Sequence, residues 1–151
     1  MKPSLKHTLT QACSDYVDAR IARFNSTMKE LEEALKPESR SCMGDKYETS
    51  RAMLHLEFEK LTGQVEQFTA LRKTVNAIDS NSSHSIIAFG SIVKTSEAGY
   101  FLCIPAGEIL VEGEKFYAVG INAPVAQAIM GKKKGERFVF NGKTAEILFV
   151  E

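Results

Sequence analysis

The 151-residue chain suits one medium domain or two small ones, and its 44% hydrophobic content can support a packed core. Lysine plus arginine equals aspartate plus glutamate, so the formal net charge is zero; this excludes global attraction to nucleic acid or an anionic membrane, though not a local patch. The opening MKPSLKHTLT has no apolar signal core, and no stretch approaches the ~18 apolar residues of a membrane span. Three widely spaced cysteines (Cys13, Cys42 and Cys103) make no disulfide framework. A cytoplasmic, reduced protein without a membrane partner is expected.

The first half reads as two helices. Val17, Ile21, Phe24, Met28, Leu31 and Leu35 follow at alternating steps of four and three, a heptad seam that wants a partner helix. The seam stops at KPESR, because Pro37 disfavours helix at Lys36 and has no N–H to donate. A second seam runs through Leu54, Phe58, Leu61, Val65 and Phe68, and continues through Leu71, Val75 and Ile78 after a small phase slip. Gly63 within it costs about 1 kcal/mol relative to alanine, too little to cancel the pattern. Folding the chain about residues 44 and 45 sets Leu35 opposite Leu54, Leu31 opposite Phe58, Met28 opposite Leu61, Phe24 opposite Val65 and Ile21 opposite Phe68. An antiparallel coiled-coil hairpin over residues 1–80 is expected. From about Leu5 to Leu35 it would form an arm of roughly 45 Å. The alternative is a compact bundle.

DSNSSHS, residues 79–85, reads as a polar linker. Beyond it SIIAFGSIV, YFLCI, KFYAVGI, RFVF and AEILFV are β-branched and aromatic runs bounded by turn signals at Gly99, Gly107, Gly113 and NGK 141–143. APVAQAIMG between two of them reads as a short helix, with Asn122 as its cap and Gly131 as its stop. The fold class is therefore α+β: a helical hairpin, then a small antiparallel sheet domain with one helix over residues 81–151.

Few residues carry chemistry. There is no glycine-rich phosphate loop, no paired CxxC and no HExxH. His7, His55 and His84 fall in different elements and read as solvated. Ser82, Ser83 and His84 read as linker, and the lysines of GKKKGE 131–136 as a turn that favours a helix C-terminus. What remains is MGDKYETSRAM, residues 43–53. Asp45 and Glu48 have the spacing of a capping box at the start of the second helix. A cap at the end of an arm also displays its carboxylates outward. Lys36, Arg40, Lys46 and Arg51 put positive charge beside them, so a tip near residues 36–48 offers oxygens to a hard cation such as Mg²⁺ and cations to a phosphate chain.

Two segments carry a family resemblance. INAPVAQAIMGKKKGERFVF resembles the signature of the Gre-type transcript-cleavage factors of bacterial RNA polymerase, in which Ser-Pro-(Ile/Val) opens a helix ending in Leu-(Ile/Leu)-Gly-Lys, followed by a Gly-(Asp/Glu) turn. Asn122, Ala123, Pro124 and Val125 open it here, and Ile129, Met130, Gly131, Lys132, Gly135 and Glu136 follow in order. GDKYET is similar to that family's tip, Gly-Asp-x-x-Glu-Asn, at Gly44, Asp45 and Glu48. The chain departs at Thr49, where the family has asparagine, in SRAM for Ala-Glu-Tyr, and in the proline of KPESRSCM. It also lacks the family's lysine- and leucine-rich opening.

The resemblance implies a sheet domain like that of FK506-binding proteins (FKBP-like), docking on the polymerase through Pro124, Val125, Ile129, Met130 and Lys132. The hairpin would enter the secondary channel. There Asp45 and Glu48 would help hold a Mg²⁺ shared with the polymerase, which then cleaves its own backtracked RNA. Lys36, Arg40, Lys46, Tyr47 and Arg51 would position the tip and the RNA 3′ end. On this reading the protein is a monomer with no cofactor of its own, and stimulates the polymerase's nuclease rather than being an enzyme itself. The alternatives are a secondary-channel regulator that does not cleave, and a prolyl isomerase using an aromatic cleft lined by Phe101, Phe116, Tyr117, Phe138 and Phe140.

Overall fold

A computed structural model describes residues 4–36 and 45–151, and all side chains among these except those of residues 45–47. Helix α1 spans Leu5–Ala34 and helix α2 Asp45–Asn76. Strands β1 (Ile92–Thr95), β2 (Gly99–Cys103), β3 (Gly107–Val111) and β4 (Glu114–Gly120) follow. Helix α3 (Pro124–Ile129) and strands β5 (Arg137–Phe140) and β6 (Lys143–Val150) complete the chain. The fold is α+β, as the sequence implies. No helix among the described residues is long and apolar enough to cross a membrane.

Packing groups the chain into two compact units, Val17–Leu71 and Met1–Tyr16 with Arg72–Glu151. The linker at residues 79–85 suggests a border near residue 80, but the first turns of α1 and the end of α2 group with the sheet.

In the unit Val17–Leu71 the two helices meet along one stripe. Val17, Ile21 and Leu61 are buried, whereas Phe24, Met28, Leu31, Leu35, Leu54, Phe58, Val65 and Phe68 are half-buried and most residues between them are exposed. That is the burial expected of a two-helix seam. The rings of Phe24 and Phe68 lie 5.4 Å apart and tilted, one helical turn from the expected pairing of Phe24 with Val65. Arg51 Nη1 donates to the Leu35 carbonyl at 3.3 Å, a turn away from the expected Leu35–Leu54 pair on its other side.

The second unit is a six-stranded sheet of order β3-β4-β2-β1-β6-β5. Four of its neighbouring pairs are antiparallel, but β2 and β4 run parallel, with Gly99 opposite Phe116 and Cys103 opposite Gly120. The sheet is thus mostly antiparallel, as expected, and β3 accounts for the one parallel pair. The segment GEILV, which is not among the β runs picked out from sequence, forms a hairpin with β4 through Glu112 and Gly113, both at positive φ. Because β3 takes the edge, β4 returns beside β2 in the same direction.

Successive side chains of a strand point to opposite faces, and β2 is buried on both. Leu102 joins Ile87, Val93, Ala126, Ile129, Phe138, Ala145 and Ile147 in a core under α3. Phe101 and Cys103 face the other way and are buried there too. The α1 residues Leu9 and Cys13 are fully buried, four apart and continuous with the spacing of Val17 and Ile21. Lys6, one turn before Leu9, is 1% exposed, and its Nζ donates to the Ser82 carbonyl at 2.9 Å. Burial pushes its pKa below the ordinary 10.5, against the opposing pull of Glu151 and Asp79. The lysine ties α1 to the polar linker.

Candidate functional site

The tip segment is described from Asp45 onward. Asp45 is the first residue of α2, and Glu48, one turn on, is exposed. Both acids therefore lie in the first turn of a 32-residue helix, where carboxylates oppose the unpaired N–H groups and the dipole. Arg51, one further turn along, is half-buried because its guanidinium reaches back to the last turn of α1. On the α1 side, the Leu35 and Lys36 N–H groups donate to the Glu32 and Glu33 carbonyls, and Lys36 Nζ pairs with Glu33 Oε1 at 2.9 Å. That pair is exposed on both sides, so it contributes little to stability. The end of α1 and the start of α2 thus lie together, held by Arg51. Arg40, Cys42 and Gly44, and the side chains of Asp45, Lys46 and Tyr47, lie outside the described residues.

Among the described residues no group of three or more histidines, cysteines or acids could hold a metal by itself. A hard cation wants six or more oxygens. Of the two acids of the first turn, the described carboxylate, that of Glu48, is exposed.

The second segment singled out by sequence is built into the sheet unit. Pro124 opens α3 at its first turn, but the N-cap is Ala123, with extended backbone and no side-chain cap, so Asn122 is not the cap. Gln127 braces this turn instead, its Nε2 donating to the Ile121 carbonyl at 2.6 Å. Gly131, at φ +82, ends the helix as expected, and its N–H donates to the Ile87 carbonyl. Lys132 is half-buried, with its carbonyl accepting from the Ile87 N–H at 2.8 Å. The Glu136 carboxylate accepts from the Lys133 N–H at 2.6 Å, and so closes the lysine turn. Val125 is 6% exposed and Ile129 0%, so these two side chains pack against the sheet and present no surface. Pro124 is exposed and Met130 half-buried. The pattern of this segment is explained by folding: apolar residues inward, glycine at the left-handed turns, and an acid across the turn from a free N–H.

No protein-family model and no curated protein matches the chain. Two of the solved structures similar to it are the following. One is described as the transcription factor Gfh1, 13% identical over 92% of this chain and 93% of that one, with a TM-score of 0.38. The other is the GreA factor homolog 1 (Gfh1) protein of Thermus thermophilus, 11% identical over 94% of each chain, with a TM-score of 0.34.

The remaining sequence candidates separate cleanly. Phe101 and Phe116 are core residues at 0% and 1% exposure, and neither is among the residues of the cleft lined by Phe138 and Phe140. That cleft has a volume of about 170 Å³ and is completed by Tyr100, Glu97, Asn141, Lys143 and Ala145. His7 and His55 are exposed, but His84 is half-buried and its Nδ1 is buried without a hydrogen-bond partner. Sequence reasoning missed the burial of Cys13 and Cys103, because it weighed cysteine spacing along the chain alone. The four-residue step from Leu9 to Cys13 to Val17 was the available sign that Cys13 faces a core.

Proposed function

We propose that this protein is a Gre-type transcription factor, one that binds bacterial RNA polymerase through the secondary channel and stimulates cleavage of backtracked RNA. One observation carries the reading: a Gly-Asp-x-x-Glu segment starts the second of two paired helices, and an Ala-Pro-Val…Gly-Lys…Gly-Glu segment follows in a separate sheet unit. The match lies in order as well as content.

On this reading Asp45 and Glu48 are the chemical residues. Each offers hard carboxylate oxygens from a helix start, and each is tied to a backbone that Arg51 braces against α1. When bound in the complex, Mg²⁺ supplies Lewis-acid stabilisation of charge developing on phosphate. The chain contributes negative charge at a fixed place, and Lys36, Arg40, Lys46, Tyr47 and Arg51 orient RNA around it. Pro124, Met130 and Lys132 are the docking candidates whose side chains are not fully buried. The protein acts as a cytoplasmic monomer, without a cofactor of its own, on a nuclease that belongs to the polymerase.

Thr49 favours a second reading. It stands where the resemblance calls for asparagine, so the chain would occupy the channel and regulate without cleaving. Purified protein added to stalled elongation complexes of its cognate polymerase separates the two. Shortened RNA supports cleavage, binding without shortening supports the regulator, and no binding removes both.

A further inference from the structure

Strand β5 ends one side of the six-stranded sheet and pairs only with β6. No backbone hydrogen bond reaches Arg137–Phe140 from beyond β6 among the described residues, so the strand has open N–H and C=O groups along its outer edge. Phe138 and Phe140 lie on one face of it, where they line the cleft of about 170 Å³ with Tyr100. Val139, on the other face, is 64% exposed. A free edge with apolar surface on both faces is what an added strand covers. The cleft is smaller than the ~300–1,000 Å³ of pockets that hold whole cofactors, so it has room for one side chain. Glu97 and Lys143 also line it, and neither side chain forms an ion pair with the described residues. A carboxylate and an ammonium match a peptide unit, which offers an N–H to the first and a C=O to the second. Charge narrows the occupant further. Lys133, Lys134, Arg137 and Lys143 are exposed and have no ion pair among the described residues, against only Glu136 and Glu146 in the same stretch of a formally neutral chain. Lysine at a sheet edge discourages pairing with a second copy, and so favours a foreign acidic strand. Single-stranded nucleic acid also takes cations and aromatic rings, but it offers an edge no ladder of N–H and C=O groups, and its phosphates would meet Glu97.

We propose that β5 and its cleft are a docking site for an extended, acidic segment of a partner protein, which pairs with the outer edge of β5 and seats one bulky apolar side chain against Tyr100, Phe138 and Phe140. Main-chain hydrogen bonds hold the segment to the edge. The cleft selects its side chain, because every second residue of an added strand faces the same side. An aromatic ring suits these walls, since rings prefer offset or edge-to-face contact with one another. Acids on either side of that anchor meet Lys133 and Lys134, which precede β5 in the chain, and Lys143, which follows it. The site lies wholly within the sheet-bearing unit. It depends neither on the tip acids nor on the polymerase reading, and its test uses no polymerase.

The test uses the full-length protein and a blocked, fluorescein-labelled heptapeptide, Glu-Thr-Asp-Phe-Asp-Thr-Glu. The same peptide with alanine for phenylalanine, and a single-stranded oligo-dT, serve as comparisons. Fluorescence anisotropy measures binding, and amide NMR shifts locate it. The phenylalanine peptide should bind, with shifts centred on β5 and the cleft, and the alanine peptide should bind about tenfold more weakly or worse. Lys134→Glu and Lys143→Glu, both at exposed positions, should each weaken binding by about threefold or more at low salt with Tm unchanged. Phe140→Ala removes a wall and should abolish the preference for phenylalanine; if that variant fails to fold, the shifts in the parent protein decide. Absence of binding at millimolar peptide would overturn the proposal, as would equal binding of the two peptides or shifts away from β5. So would oligo-dT bound at β5 that the peptide does not displace. Aggregation of the lysine variants with peptide binding unchanged would also overturn it, and leave those cations as protection of the edge.

Discussion

The two compact units are stabilised by different kinds of burial. In the sheet-bearing unit β2 is covered on both faces, with Phe101, Leu102 and Cys103 all at 3% exposure or less. In Val17–Leu71 one stripe meets another, and most of its apolar residues stay half-buried. A sheet covered on both faces leaves few positions free to vary. A two-helix seam fixes about two residues in seven and leaves the rest to solvent. The tip acids belong to the second kind of scaffold.

Alanine substitutions make the comparison measurable. Phe101→Ala should cost about 3–5 kcal/mol, enough to unfold much of the sheet-bearing unit, because the ring is fully buried. Phe24→Ala should cost only about 1–2 kcal/mol, since its ring is half-buried and its main partner is Phe68. Chemical denaturation gives both values, and amide exchange should place the second loss within Val17–Leu71. Equal costs would mean that the seam is as tightly packed as the sheet.

A glycine pair sharpens the contrast, because one substitution should act with opposite sign in the two units. A Cβ on Gly99 would lie 2.8 Å from Phe116 Cδ1 and 3.2 Å from the Lys115 carbonyl, so Gly99→Ala should destabilise by about 1–3 kcal/mol. A Cβ on Gly63, inside α2, would meet nothing within 4 Å outside its own helix backbone, and Gly63→Ala should stabilise by about 0.5–1 kcal/mol. Thermal melts of the two variants read this directly. Destabilisation by Gly63→Ala would mean that a partner surface needs the gap.

The smallest effect is a pH dependence. Burial lowers the Lys6 pKa in the fold below its ordinary 10.5. Between the two values the unfolded chain binds more protons, so stability rises with pH through that window and falls as pH drops toward the folded pKa. Tyr100, raised above 10.0 by burial and then by Tyr117 and Glu97, gives the opposite slope at higher pH. Below pH 10.0, therefore, Lys6→Met should flatten the rise in Tm that the parent shows. An unchanged slope would assign it to another group.

Much of this architecture is legible in the sequence, for reasons that differ by element. The hairpin announces itself because a seam repeats over many turns, and α1 was expected from about Leu5, where it begins. Strands β1, β2, β4, β5 and β6 fall within or overlap the apolar runs. Strand β3 escaped because it is an edge strand: Glu108 and Leu110 are both exposed, so GEILV shows no clean alternation. The parallel pairing escaped with it, since it depends on where β3 goes. Lys6 and Cys13 were unreadable for another reason. A lysine or a lone cysteine gives no sign of burial until the fold brings its surroundings together, which for Lys6 include the Ser82 carbonyl. The docking set was read from resemblance, and it includes Val125 and Ile129 because a motif records folding constraints and surface contacts alike.

The most direct test of the functional reading is RNA cleavage in stalled elongation complexes by Asp45→Asn, measured beside polymerase affinity and helix content. Asparagine serves a helix start about as well as aspartate, so a purely structural Asp45 predicts full activity. If the carboxylate helps hold Mg²⁺, the substitution removes the charge the cation needs. Affinity and helix content should then stay at parental levels while stimulated cleavage is lost, with Glu48→Gln behaving the same way. Undiminished cleavage by both variants would contradict the account and leave these acids as the start of a helix.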